Sequence, residues 1–276
     1  MLATDSIPTK KEGFLDTLIP GIQDFRAGLK MWRMFLYLGW EDIRQRYVRT
    51  VLGPLWMILG TAIWIGVMGF VMASLFGGKL SDALPYISAG TVLWTFIAST
   101  MNDGCMLYIH SASVVHAINL PMSVHVFRFV SKNFIMFLHN LLILLVVFIF
   151  CHVNVNLNTL YVIPGLILFM INVTWVSTLL GLFNARYRDV QQIIITSMTV
   201  LPFITPIFWE RAFLKKHFWI ANINPFYHAI EIVRGPLLGR ELNVLSWEVM
   251  IGITVIGLLL TMRVFSRFKH KIIFWI

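Results

Sequence analysis

Residues 40–56 read WEDIRQRYVRTVLGPLW, Trp40 to Trp56. The stretch begins as a charged helix and ends inside an apolar run. Arg44, Arg46 and Arg49 crowd around Tyr47, and no Asp, Glu, Lys or Arg follows from Thr50 to Gly78. A basic amphipathic segment feeding a membrane-length apolar run marks where water ends. It also marks the cytosolic side, because cytosolic flanks of membrane helices carry excess Lys and Arg. On charge alone the same residues would serve as a plain juxtamembrane anchor.

The chain around it has 276 residues, 58% hydrophobic and 13% charged, with a mean hydropathy of +0.78. Soluble domains carry about 25% charged residues, so this composition predicts a polytopic membrane protein with one membrane domain. The net charge of +9 lies between apolar runs. It therefore points to anionic lipid and helix orientation rather than nucleic acid. Cys105 and Cys151 sit at or inside apolar runs without a Cys-x-x-Cys motif, which argues against a disulfide framework or a metal site. The start is polar, with no short apolar core after Met1, so no cleavable signal peptide is expected.

In chain order, residues 1–20 read as a cytosolic tail. Residues 21–50 read as one amphipathic interface helix, with Phe25, Leu29, Trp32, Phe35 and Leu36 on its apolar face and Lys30, Arg33 and Arg44 toward phosphate. Gly53-Pro54 permits the turn into the bilayer. The membrane domain, 51–270, holds six apolar runs near the 20 residues a crossing needs, at about 53–76, 84–107, 129–151, 160–183, 190–209 and 248–266. The stretch Asn133 to Ala185 has no charged residue and is broken by Asn154, Asn156, Asn158 and Pro164, predicting two helices and a polar turn on the far side. With both termini cytosolic, only Lys79, Arg211, Lys215, Lys216, Arg234 and Arg240 fall outside, and the other sixteen Lys and Arg fall inside. That asymmetry selects six spans with both ends in the cytosol.

Two connections exceed a turn. Residues 109–126 read as a cytosolic segment, either an interfacial loop or a short surface helix that presses on a partner protein. Residues 210–247 are too apolar for a free loop. There Asn224 is the expected N-cap, Pro225 the first helical residue, and Gly235-Pro236 the stop. A re-entrant hairpin covering the outer mouth and an amphipathic helix on the outer leaflet both fit this segment.

Catalytic chemistry is sparse. Around Gly78-Lys79 the phosphate-loop pattern fails, with Ala73 in place of its first glycine and Leu80 in place of Ser or Thr. The chain is therefore not expected to bind ATP by that motif; if it is pumped, another subunit supplies the energy. His-Glu-x-x-His and Gly-x-Ser-x-Gly are absent, and no embedded carboxylate pair is visible. His139 beside Asn140 reads as a neutral interhelical hydrogen bond, and Glu231 with Arg234 as a local i,i+3 pair. Trp32, Trp40, Trp56, Trp94, Trp209, Trp219, Trp247 and Trp275 read mostly as interface belts.

Three patches carry a family resemblance. The first is Asp42-Ile43-Arg44, Arg46-Tyr47, Thr50 and Leu52-Gly53-Pro54-Leu55-Trp56. The second is Asn184-Ala185-Arg186-Tyr187-Arg188-Asp189-Val190. The third is Asn224-Pro225 followed by Arg234 and Leu237-Leu238-Gly239. In this order, from about Trp40 to Phe265, they resemble the ABC-2 permeases that export polysaccharides, the O-antigen and capsule exporters.

The resemblance implies an all-α membrane protein of the ABC-2, type V exporter-like fold: six transmembrane helices, an N-terminal interface helix and external re-entrant gate helices. It implies a homodimer in the bacterial inner membrane that binds two copies of an ABC ATPase. ATP and magnesium would sit on that partner, with no cofactor, metal or catalytic residue here. The cargo would be a lipid-linked polysaccharide, O-antigen foremost, with capsular or teichoic-acid-type export as the alternative. The coupling helix falls around His116 to Val124, including Asn119 and Pro121. Arg44, Arg46, Arg49, Arg186 and Arg188 would meet the lipid pyrophosphate at the cytosolic mouth. Phe213, Trp219, Asn224, Pro225, Phe226, Tyr227 and Arg234 would form the external gate. From other classes, a membrane enzyme of envelope glycolipid synthesis and a passive channel or ion-driven carrier stand as rivals.

Overall fold

The computed structural model describes residues 17–53, 55–153, 156–211 and 219–276, and every regular element among them is helical. Most of the expected tail, along with Pro54, Asn154 and Phe213, lies outside the described residues. In order the helices are α1 (Ile19–Lys30), α2 (Trp32–Tyr47), α3 (Leu55–Phe76), α4 (Leu80–Cys105), α5 (Leu107–His110), α6 (Ala112–Ala117), α7 (Met122–Phe150), α8 (Val162–Arg186), α9 (Asp189–Ile204), α10 (Trp219–Ile223), α11 (Pro225–Leu237) and α12 (Val244–Phe268). Short 3-10 turns precede α8 and follow α12.

Helices occupy all six apolar windows of the sequence. Among the described residues four are long and apolar enough to cross a membrane: Leu55–Leu75, Met122–Phe150, Leu157–Arg186 and Val244–Phe274. α9 is apolar but has only 16 residues. It stops where Thr205 turns extended, the conformation a following proline imposes, here Pro206. α4 spans 26 residues but carries many hydroxyls, and more than half of it is buried. It is the central post, packed by α3, α7, α8, α9 and α11. Ser88, Ser99 and Thr100 bond back to carbonyls of their own helix, as Thr100 Oγ1 does to that of Phe96 at 2.7 Å, so they cost little when covered by protein. Around the post, Phe96 lies 4.8 Å from Phe137 and 5.6 Å from Phe169, ring centre to ring centre. Aromatic rings therefore fill the contact between α4, α7 and α8.

The interface segment differs from the single helix expected. It breaks at Met31 into α1 and α2. The expected apolar face divides: Phe25 and Phe35 pack on Phe127 of α7 at 5.6 and 5.2 Å, ring centre to ring centre, beside buried Gly21, Gly28, Gly39 and Ile43, while Leu29, Trp32, Leu36, Tyr37 and Trp40 point outward. Gly28 sits on Ser123 and Gly39 on Ser131, so close that an added Cβ would lie 2.3 and 2.7 Å from the serine oxygens. Eleven helical residues rise roughly 16 Å and eight roughly 12 Å. The turn at Met31 takes up that difference. Ionic staples complete the seat. Arg128 on α7 donates through Nε and Nη2 to the two oxygens of Asp42 on α2, and Lys269 after α12 donates to Asp24 on α1 at 3.3 Å.

The elements sort into two ends. One carries α1, α2, the start of α7, the α8–α9 turn, where Arg188 donates to the Trp275 carbonyl at 3.3 Å, and the C-terminus. The other carries the α7–α8 turn and the end of α11, joined by Asn156 Nδ2 donating to the Gly239 carbonyl at 2.7 Å.

α8 and α11 meet at a glycine. Pro236, in the last turn of α11, has no N–H for the Ile232 carbonyl. Gly165 of α8 comes against that carbonyl, where an added Cβ would lie at 2.5 Å. We expect Gly165→Ala to destabilise the fold by roughly 1–3 kcal/mol through overpacking. Gly60→Ala, within α3 and in open space, should not lower the melting temperature in detergent, since alanine favours helix over glycine. Equal melting temperatures for the two variants would refute this packing.

Candidate functional site

At the α11 end the chain buries a positive charge. Arg234 is 1% exposed. Its Nε and Nη2 donate to one oxygen of Glu231 at 3.1 and 2.7 Å, and its Nη1 donates to the Pro206 carbonyl at 2.7 Å. The guanidinium lies over the Tyr86 ring at 4.0 Å, and Arg240 approaches the same ring at 5.1 Å. The Tyr86 hydroxyl donates to the Pro206 and Trp209 carbonyls, both at 3.2 Å. One arginine thus joins α4, the end of α9 and α11. A guanidinium suits this because it is planar, permanently charged and able to stack while donating in plane.

Further bonds fix α11. The Asn224 side chain accepts from Phe226 N and Tyr227 N, the cap expected from sequence, and its Nδ2 donates to Thr205 Oγ1 at 2.8 Å. Buried His228 meets the Asn222 carbonyl through Nε2 at 2.8 Å and Ser246 Oγ through Nδ1 at 2.9 Å. A carbonyl only accepts, so Nε2 carries the proton and a neutral ring accepts from Ser246 at Nδ1. α11 is inserted among α4, α8 and α12 rather than laid on a surface. It also runs through Gly235 and Pro236 to Leu237 instead of stopping there, and the chain turns at Gly239 with φ +67°. Proline tolerates the last helical turn at the loss of one hydrogen bond.

At the opposite end, the helix expected over His116 to Val124 is broken. α6 ends at Ala117, residues 118–121 are non-helical, and Pro121 caps α7, because a proline disfavours helix in the residue before it. Val124 is fully buried in α7 and cannot meet a partner at the surface. The exposed residues of this knuckle are His110, Ser113, His116, Ala117, Ile118 and Asn119.

The arginines fall into two groups. Arg44, Arg46 and Arg49 lie at the end of α2, Arg44 paired with Glu41 and Arg49 at φ +67°. Arg186 and Arg188 gather on the C-terminus, where Arg186 stacks on Tyr187 and Trp275, both at 5.8 Å.

A sequence model of the ABC-2 type transporter family matches residues 33–238, three quarters of the chain. The chain belongs to that family. Two O-antigen export system permease proteins RfbA of Klebsiella pneumoniae are each 22% identical to it, over 242 and 241 residues. Each alignment covers 84% of this chain and 90% of the relative.

An ABC-2 permease is a multi-pass membrane subunit without a catalytic domain, and such permeases pair with ABC ATPase subunits. In this ABC-2 subunit the residues expected at the external gate divide. Trp219 is exposed and Pro225 open to the surface. Phe226 packs edge-on against Trp94 at 5.6 Å. Asn224, Tyr227 and Arg234 are buried supports. Trp94, read from sequence as an interface residue, is in the core. His139 bonds the Ile135 carbonyl of its own helix at 2.7 Å rather than another helix. The sequence reading missed Tyr86, whose carbonyl partners lie 120 and 123 residues away and leave no local signal.

Arg234→Met should cost about 3–5 kcal/mol, because it strands the Glu231 carboxylate in a buried site. Adding Glu231→Leu should recover most of that loss in a thermal-melt double-mutant cycle. Simple additivity would show that the pair is not coupled.

Proposed function

We propose that this ABC-2 subunit exports a lipid-linked polysaccharide, O-antigen foremost, across the bacterial inner membrane. The observation that carries the reading is the near full-length similarity to two O-antigen export permeases. Its active form is a homodimer with two ABC ATPase subunits, which hold ATP and magnesium. Both termini face the cytosol and the chain crosses the membrane six times, α4 and the short α9 included. The two-ended sorting of the elements and the count of Lys and Arg support this orientation.

In the proposed homodimer the conduit runs between the two copies. α3 and α9 suit its walls. α3 leaves Trp56, Trp64, Val67 and Phe70 exposed, and α9 leaves Ile193, Val200 and Phe203 exposed. On α9 the hydroxyls of Thr196, Ser197 and Thr199 are satisfied within the helix. A wall of aromatic and self-satisfied hydroxyl groups lets a glycan slide without a deep well. Arg44, Arg46, Arg49, Arg186 and Arg188 meet the lipid pyrophosphate at the cytosolic mouth. Trp219, Pro225 and Phe226 form the movable part of the external gate on the rigid base around Arg234. The knuckle at His116, Ile118 and Asn119, braced by Pro121, presses on the ATPase.

Reconstituted with its ATPase in vesicles, the subunit should expose lipid-linked glycan on the far leaflet only when ATP is hydrolysed. Glycan movement by the isolated subunit would refute the reading. Ile118→Asp at the knuckle should lower glycan-stimulated ATP hydrolysis roughly tenfold, the scale of one lost interface anchor, while membrane insertion stays normal. A cysteine at Asn158 should react only with reagent on the periplasmic side, and cytosolic labelling there would overturn the orientation.

A further inference from the structure

We propose that a cavity between α2, α4, α5 and α7 is an anion site that takes a phosphate-bearing headgroup. It measures 540 Å³, and its wall includes Asp42, Arg46, Asp103, His125, Arg128 and Lys132. The charges here do not cancel pairwise. Asp42 is fully engaged, both of its oxygens accepting from Arg128. Asp103 reaches Lys132 only at 3.9 Å, with its side chain 41% exposed, so that pair is loose. Arg46 reaches the Met136 sulfur at 3.9 Å, a weak acceptor. Two cations from different helices, the exposed Arg46 and the part-buried Lys132, which also lies over the Phe129 ring at 5.5 Å, therefore line one cavity without a close carboxylate of their own.

A second observation concerns the polar atoms around it. His125 is 1% exposed, and its Nδ1 has no hydrogen-bond partner. Arg128 Nη1 is likewise buried and unpartnered. Buried donors and acceptors without a partner in the protein are rare, and these two are on side chains that line the cavity. A multi-oxygen anion entering between Arg46 and Lys132 supplies acceptors to that wall.

The position on the fold selects the class of anion. α2 forms one side of the cavity through Asp42, Gln45 and Arg46 and turns Trp32, Leu36, Tyr37 and Trp40 outward. A helix so arranged lies at headgroup depth, where the abundant anions are lipid phosphates. A resident phospholipid and the diphosphate of a lipid-linked cargo share this chemistry. The site rests on the membrane placement of α2 proposed above and not on the nature of the cargo.

The test uses the purified full-length subunit without ATPase. Phosphatidylglycerol and farnesyl diphosphate are titrated by native mass spectrometry, and inorganic diphosphate by calorimetry. Saturable binding is expected. Lys132→Gln and Arg46→Gln should each weaken it roughly tenfold, the scale of one charge-assisted hydrogen bond. Arg33→Gln, which removes the same charge from an exposed position on α2, should leave it unchanged. Asp103→Asn should tighten binding, a change that damage to the fold does not produce, and Lys132→Arg should retain it. Preference for phosphatidylglycerol assigns a resident lipid, preference for the two diphosphates assigns the cargo carrier, and comparable binding of all three assigns a general phosphate site. No saturable binding, equal loss in Arg33→Gln and Lys132→Gln, or weakened binding in Asp103→Asn overturns the proposal.

Discussion

Arg234 is a fixed charge held where water does not reach. Removing a guanidinium from water is costly unless its donors are met and its charge answered nearby. Glu231 answers the charge and accepts two donors, the Pro206 carbonyl accepts a third, and the Tyr86 ring covers the face. Those partners come from α11, the end of α9 and α4, so none of the three can shift independently. Gly90 on α4 belongs to the same arrangement, since an added Cβ would lie 3.0 Å from the Ile207 carbonyl and 3.3 Å from Arg234 Nη1. Everything above the apolar bundle at that end is built on this joint.

The two ends of the molecule solve different problems. The Arg234 end encloses irregular backbone at 205–211 and around residue 224. Backbone polar groups without helical partners must find protein partners where lipid surrounds them. Tyr86, Asn224, His228 and Asn156 supply those partners. The end that carries α1 and α2 is held by ion pairs at the rim, Asp42 with Arg128 and Asp24 with Lys269, together with close glycine–serine contacts. The exposed knuckle lies between these staples. α6 leans on the C-terminal 3-10 turn, whose Ile272 is fully buried, and Ser123, two residues past Pro121, donates its backbone N–H to Asp24 at 3.0 Å. The segment around the knuckle is thus in contact with both α1 and the C-terminal turn.

Much of the candidate machinery was legible in the chain, and the losses have physical causes. The cap at Asn224-Pro225 was readable because it is local chemistry within four residues. The fate of the interface helix was not. Its apolar residues divide, Phe25 and Phe35 joining the glycines against α7 and Leu29, Trp32, Leu36 and Trp40 staying outside, a split that helical spacing alone does not fix. The helix assigned across Pro121 failed because the motif carried its position without the proline's own restraint. Arg234 was singled out, yet its burial was invisible, since i,i+3 spacing to Glu231 is the same on a wet surface.

By itself the sequence determined the all-helical membrane class, the windows where helices lie, the absence of a phosphate loop and the family. The class, the windows and the missing loop follow from composition, run length and local spacing, which act within a few residues of each position, and the family from three motifs that resemble its members and from the match to its model. Tertiary structure alone decided that α4 is the central post and that Tyr86 closes over Arg234. It also decided that α1 and α2 sit on their glycines and that Asp42, Arg46, Asp103 and Lys132 share one cavity. Each depends on which distant surfaces meet, and burial, pairing and unmet hydrogen-bond demand exist only once they have met.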